Sequence, residues 1–336
     1  MSNKAFAQEI IPASEIDDTR DLAARLQAKI IRDNPTGIMR RDAHPKMHGL
    51  VKAEFTVEAD LPAELRIGIF SQPRTYQAWI RFSNQDGNIQ PDTGRDIRGM
   101  AIKLMGVAGD KLLDAERDAQ TQDFIVISTP VFVTKDVAEF DALIKAMTGS
   151  LWAKISYFAT HWRVIWNLLK SMKKFANPLQ TRYWSTTPYL FGATAVKYSA
   201  IPHVTHADEI PANPGPDYLR AAMVRQLAQG VAIFDFTVQL QVDPDSMPIE
   251  DPGHEWKESE SPFRKVATIR IPQQEFDSEA QCNFGENLSF TPWHSLPAHR
   301  PLGGINRARK IVYDAISTFR HARNNVTRQE PTNWEI

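Results

Sequence analysis

Ala78-Trp79-Ile80-Arg81-Phe82-Ser83 partly alternates apolar and polar side chains, the period-two signature of a strand with one buried face. Upstream, Val51-Lys52-Ala53-Glu54-Phe55-Thr56-Val57-Glu58 does the same. Downstream, Met100-Ala101-Ile102-Lys103-Leu104-Met105 and Phe124-Ile125-Val126-Ile127 are further short strand-like runs, so the region 48–134 reads as consecutive strands. Strands resume near 194–200, 231–242 and 265–271. Helical spacing marks 14–33, with Ser14 as a possible cap and Leu22, Leu26, Ile30 and Ile31 in phase, and Asn34-Pro35-Thr36-Gly37 breaks it. Residues 136–147, 150–175 and 305–324 also read as helices. Runs of strands flanked by helices, without regular βαβ alternation, predict an antiparallel α+β architecture.

The chain has 336 residues, 39 Lys and Arg against 40 Asp and Glu, and a net charge of −1. No general attraction to nucleic acid or to an anionic membrane follows from that balance. Cys282 is the single cysteine, which excludes an internal disulfide and a cysteine-ligated zinc or iron–sulfur centre and fits a reducing compartment. The start, MSNKAFAQEIIPASEIDD, lacks a basic segment followed by an apolar run, and the sequence contains no unbroken apolar stretch of about 18 residues. A cytoplasmic protein is expected.

The C-terminal helix reads Ile305-Asn306-Arg307-Ala308-Arg309-Lys310-Ile311-Val312-Tyr313-Asp314-Ala315-Ile316-Ser317-Thr318-Phe319-Arg320. At about 100° per residue, Ala308, Val312, Ala315, Ile316 and Phe319 form an apolar stripe. Arg309, Tyr313 and Arg320 lie together beside it. Positive charge near a phenol favours its ionised form, and a phenolate is a suitable ligand for ferric iron. The second arginine could meet a carboxylate of such a group. The same pattern also suits an ordinary exposed helix face.

Other stretches decide between these readings. Arg309-x-x-x-Tyr313 with Arg320 seven residues on resembles the proximal-ligand helix of the haem catalases. Trp79-Ile80-Arg81-Phe82-Ser83 is similar to that family's Val-Arg-Phe-Ser strand. Arg95-Asp96-Ile97-Arg98-Gly99-Met100-Ala101-Ile102-Lys103 resembles its Arg-Asp-Pro-Arg-Gly-Phe-Ala-Val-Lys run. Ser128-Thr129-Pro130-Val131-Phe132-Val133-Thr134-Lys135-Asp136 resembles Asn-Thr-Pro-Ile-Phe-Phe-Ile-Arg-Asp, and Glu286-Asn287-Leu288-Ser289-Phe290 resembles the Glu-Gln-x-Ala-Phe segment. The blocks keep the family's order across residues 40–323. The resemblance implies an α+β fold with an eight-stranded antiparallel β-barrel enclosing haem b, flanked by helices, its pocket at an open barrel end. It divides the chain into a helical arm (1–40), a haem-binding barrel domain (41–325) with a helical insertion near 136–176, and a tail (326–336).

Carried over residue by residue, the resemblance implies Tyr313 as iron ligand, Arg309 as the cation that keeps it anionic, and Arg81 and Arg320 as propionate partners. Phe132 and Phe140 would pack near the haem. His48, in His44-Pro45-Lys46-Met47-His48-Gly49, is taken as the distal histidine in preference to His44, because a glycine-containing strand start follows it. Ser128 then stands where the family has its distal asparagine, with one hydroxyl in place of an amide. Met47 would place a thioether over the haem. An arginine three residues before the histidine is missing on this alignment, since Pro45 stands there; Lys46 or Arg41 could compensate.

The resemblance therefore implies a haem-dependent hydroperoxide-processing oxidoreductase, a peroxidase with catalase activity on hydrogen peroxide, acting with a separate electron donor. Ser128 and Met47 also suit a fatty-acid hydroperoxide isomerase or lyase, and a third reading is haem binding without turnover. An oligomer is compatible with all three. In 150–175, Trp152, Ile155, Phe158, Trp162, Ile165, Leu169 and Met172 share one stripe, with Lys154, Arg163, Lys170 and Lys173 off it. That pattern predicts a helix buried against the barrel with solvated lysines; its alternative is a weak lipid contact.

Overall fold

A computed structural model describes residues 5–336. In chain order the elements are α1 (Glu15–Asp33), β1 (Met47–Val57), β2 (Thr75–Asn84), β3 (Arg98–Met105), β4 (Thr121–Ile127), α2 (Val137–Thr148), α3 (Leu151–Thr160), α4 (Trp162–Ser171), β5 (Tyr183–Trp184), β6 (Tyr189–Phe191), β7 (Thr194–Pro202), α5 (Tyr218–Gln229), β8 (Ala232–Leu240), β9 (Arg264–Ile271), α6 (Glu279–Asn287) and α7 (Gly304–Asn324). Every strand pairing is antiparallel. Strands β1, β2, β3, β4, β5, β7, β8 and β9 close into an eight-stranded barrel, because β5 pairs with both β4 and β7 and β9 returns to β1. Strand β6 adds a short hairpin partner to β7.

Side-chain alternation sorts the barrel into two faces. Val51, Ile80, Ile102 and Phe124 stand in register across β1 to β4 and belong to the buried core. Phe124 lies 5.0 Å from both Phe236 and Tyr198, centroid to centroid, and Phe55 lies 5.1 Å from Phe236. Large rings pack in the barrel core, and the cavity lined by the candidate site residues is not at the open barrel end that was expected. The cavity lies instead on the outer wall of β2, β3 and β4, beneath α1, α2 and α7. Leu22, Leu26 and Ile30 of α1 pack there on Val312 and Ile316 of α7.

Arg307 anchors the start of α7, with Nε 2.6 Å from Glu15, Nη1 2.5 Å from Glu9 and Nη2 2.9 Å from Glu250. Ser14 occupies the N-cap position of α1 without a side-chain cap bond. The 150–175 helix is two helices joined at His161. Its apolar stripe is only partly packed inward: Phe158 and Met172 lie against the cluster around Ile127 and Val133, while Ile155 and Leu169 are exposed. Tyr157, Val164, Asn167 and Ser171 face inward, whereas Trp152 and Trp162 are 77% and 75% exposed. The last residues lie along the barrel wall, where Trp334 Nε1 donates to Ala78 O at 3.0 Å and Trp79 Nε1 to Asn333 O at 3.1 Å. Among the described residues no helix is long and apolar enough to cross a membrane.

Candidate active site

The outward residues of three adjacent strands make one wall of the cavity: Arg81 and Ser83 from β2, Gly99 and Ala101 from β3, Ile125 and Ile127 from β4. Gly99 and Ala101 are small, so β3 leaves a trough between its bulkier neighbours. Tyr313, Arg309 and Arg320 come from α7 on the other side, and Phe132 and Phe140 close one end in an edge-to-face pair 5.3 Å apart.

His44 enters from the segment before β1. Its backbone is left-handed, with φ of 62°. That turn lays the imidazole against β3, where a Cβ on Gly99 would come within 2.6 Å of both Nδ1 and Cε1. Nδ1 is 2.9 Å from Ser83 Oγ. Burial, with the Arg81, Arg41 and Arg309 charges adding to it, pushes the imidazole down to about 3. At neutral pH the ring is an uncharged proton acceptor.

Three guanidiniums converge at one edge of the cavity. Arg41 Nη1 lies 3.4 Å and Arg81 Nη2 3.7 Å from the Glu286 carboxylate, and Arg320 Nη1 donates to the Glu286 carbonyl at 2.8 Å. One carboxylate faces three cations. Desolvation, then repulsion from Arg41, holds Arg81 well below the usual arginine range and Arg320 at about 10. Nε and Nη2 of Arg81 and Nη1 of Arg41 are buried donors without a hydrogen-bond partner among the described residues. Unpaired buried donors are costly, and such an excess is a receptor for anionic oxygens.

Arg309 sits one helical turn before Tyr313. Its Nη1 donates to Thr187 Oγ1 and Asn306 Oδ1, both at 3.1 Å, and its guanidinium covers Phe132 at 5.6 Å. These bonds fix its place on the cavity wall beside the phenol.

The catalase family model matches residues 23–182, which include Arg41, His44 and Arg81. Residues 23–182 are thus similar to the catalase family. Solved catalases share its fold. A fungal catalase superposes with a TM-score of 0.68 at 17% identity over 88% of this chain and 62% of its own. Catalase A from Saccharomyces cerevisiae gives 0.67 at 18% identity over 88% and 64%, and a bacterial catalase 0.63 at 16% over 89% and 60%. The chain thus spans less than two thirds of each of these catalases. No curated protein matches the sequence.

Three of the expected site residues lie away from this cavity. His48 does not line the cavity. A β-bulge between Met47 and Gly49 takes His48 out of the strand register. Its Nε2 lies 2.6 Å from Asn84 Oδ1 and its Nδ1 3.9 Å from Asp92, in a buried polar cluster with Arg98. Met47 packs with Leu50, Trp79 and Leu288 rather than over the cavity. Ser128 Oγ accepts the Arg98 backbone N–H at 2.8 Å and faces a neighbouring cleft. Lys46 is bound to Asp92 and Asp217, each at 2.8 Å, and does not compensate for anything.

Ser83 and Glu286 had been given no role, and the cavity histidine is His44, the alternative to His48, with Arg41 nearby. The spacing that would have found them is Arg41-x-x-His44. The arginine taken as missing three residues before the histidine is present once the histidine is His44.

Proposed function

We propose that this protein binds haem b in the outer-wall cavity and uses it to process hydroperoxides. The single observation that carries the reading is the trio Arg41, Arg81 and Arg320. It leaves buried guanidinium donors unpaired in the same cavity that holds a phenol and a neutral imidazole. Two propionates would supply the missing acceptors. Tyr313 would hold the iron through its phenolic oxygen, with Arg309 on the same helix supplying nearby positive charge. Phe132 and Phe140 would flank the macrocycle, and Gly99 and Ala101 would leave room for its plane. Bound ferric haem supplies Lewis-acid and redox chemistry at a peroxide oxygen.

His44, uncharged and steadied by Ser83, can take the proton of an entering hydroperoxide and return it to the departing oxygen. Ser83 fixes the ring orientation, and Gly99 sets how far it can approach β3. A second peroxide or a separate electron donor completes turnover. Two of the features that suited the isomerase, Ser128 and Met47, lie away from the cavity, so the peroxidase and catalase reading is preferred.

The test is the absorption spectrum of haem-loaded wild type and Tyr313→Phe, followed by titration with hydrogen peroxide and with linoleate hydroperoxide. A high-spin ferric spectrum that is lost or shifted in the variant, with peroxide consumed by the wild type, is the expected result. Identical spectra would remove Tyr313 as ligand. Firm haem retention without peroxide consumption would support binding without turnover, and allene oxide or aldehyde products would revive the isomerase.

A further inference from the structure

We propose that α3 and α4 form a docking surface for anionic phospholipid membranes. The proposal is independent of the haem reading. Leu151, Trp152, Ile155, Trp162, Trp166 and Leu169 are exposed on these two helices, Leu151 by 70%. Burying them inward is not an option, because Tyr157, Val164, Asn167 and Ser171 already fill the inner face. Large apolar side chains clustered on one exposed face mark an interaction surface. Tryptophan in particular suits the boundary between water and acyl chains.

Charge says what covers the patch. Residues 150–175 carry Lys154, Arg163, Lys170, Lys173 and Lys174 and no acidic residue, in a protein whose net charge is −1. Arg163 is committed to Asp251 at 2.9 Å. Lys170, Lys173 and Lys174 are exposed. They join Arg95 around a cleft at the end of α4, where Glu255 is the one acidic lining residue. Lys170 Nζ stands 5.0 Å from the Trp166 ring centroid, so the cationic and aromatic groups are contiguous. An apolar aromatic face rimmed by lysines fits an anionic headgroup layer, with the tryptophans at acyl depth and the ammonium groups among the phosphates.

The experiment is sedimentation of the full-length protein with vesicles of phosphatidylcholine alone and of phosphatidylcholine with 30% (roughly) phosphatidylglycerol, read together with tryptophan emission. Binding to the anionic vesicles, a blue shift, and loss of both in about 0.5 M salt are expected. Lys170→Glu, Lys173→Glu and Lys174→Glu combined should weaken the partition about 100-fold, and Trp152→Ser with Trp162→Ser at least about tenfold. Unchanged melting temperatures would show that these surface variants fold. Absence of binding to anionic vesicles overturns the proposal. So does binding that ignores both sets of substitutions, or a concentration-dependent dimer that buries the tryptophans in place of lipid.

Discussion

The Nδ1 of His44 lies 2.9 Å from Ser83 Oγ, and the ring rests where a side chain on Gly99 would have to be. A left-handed residue, a strand hydroxyl and a glycine together set one imidazole over the cavity. His48, four residues on, is held by Asn84 in a separate cluster. The two histidines therefore separate function from stability. His44→Gln should lower kcat/KM for hydrogen peroxide by about 100- to 10,000-fold, the usual worth of a positioned acid–base group, with little change in melting temperature. His48→Ala should cost about 1–3 kcal/mol of stability, through the polar partners it leaves in the core, and leave kcat/KM within about threefold. The reverse pattern would return the catalytic role to His48.

Gly99→Ala tests the positioning without touching an ionisable group. The new methyl would meet His44 at 2.6 Å and Ser83 Oγ at 2.9 Å. Something must give, and the His44 backbone at φ of 62° has little freedom to move. The ring should be displaced. Peroxide turnover should fall by about tenfold or more, while denaturant unfolding shifts by no more than about 1–3 kcal/mol. A variant with full turnover would show that the imidazole does not depend on its contact with β3.

The barrel and α7 were legible because period-two and period-3.6 patterns survive in any sequence that buries one face. The strands near 51–58, 78–83, 100–105 and 124–127, and Tyr313 between Arg309 and Arg320, were readable for that reason. The choice between His44 and His48 was not. It turns on a bulge at His48 and a positive φ at His44, neither of which leaves a periodic trace. The stripe through Trp152 and Trp162 misled in the opposite way. Apolar spacing shows that a face exists but not whether it turns toward the barrel or toward solvent. Burial of Arg41, Arg81 and Arg320 around one carboxylate depends on three distant segments meeting.

Arg81 should trade apoprotein stability against ligand retention. Its side chain is 3% exposed, beside the Arg41 and Arg320 charges, with two donor atoms that make no hydrogen bond among the described residues. Glu286 keeps Arg41 if Arg81 is removed. Arg81→Met should therefore leave the apoprotein as stable or raise its stability by about 1–2 kcal/mol. The same change should speed haem loss to apomyoglobin by about tenfold or more, because one charge-assisted contact to a propionate is gone. An apoprotein destabilised by several kcal/mol would mean that Arg81 is a structural residue rather than a receptor for anions.

Acid should weaken the apoprotein before its carboxylates protonate. Burial pushes His44 and His299 down to about 3 and His48 to about 4. The unfolded chain binds these protons near pH 6.5, and the folded chain does not. The native state is thus unaffected above about 6.5 and loses stability as pH falls from there toward 4. Each histidine contributes at most about 1.4 kcal/mol per pH unit. Asp123, whose carboxyl burial pushes upward, offsets part of the loss. Urea midpoints at pH 7.0 and 5.5 should differ clearly, and His44→Gln should remove about a third of the difference. A flat profile between these values would show that the imidazoles titrate normally and that His44 is not held neutral by its surroundings.

The C-terminal segment should act as a charge lock on the barrel wall. Lys103 Nζ is fully buried and lies 2.7 Å from both Asp123 Oδ1 and Glu330 Oε2. Glu116, His294 and Glu330 also gather closely enough for a metal ion. The positive charge they need is already supplied, however. Lys103 and Arg328 pair with Glu330 and Glu116, and the two His294 nitrogens meet Glu116 and Thr121. Lys103→Met should strand two carboxylates and cost about 3–5 kcal/mol. Glu330→Gln should cost less, since Asp123 still partners the ammonium. The paired variant Lys103→Met with Glu330→Gln should recover part of the loss, and a double-mutant cycle on urea midpoints reads that coupling. A chelator should leave every midpoint where it was; a chelator-sensitive wild type would turn the lock into a metal centre.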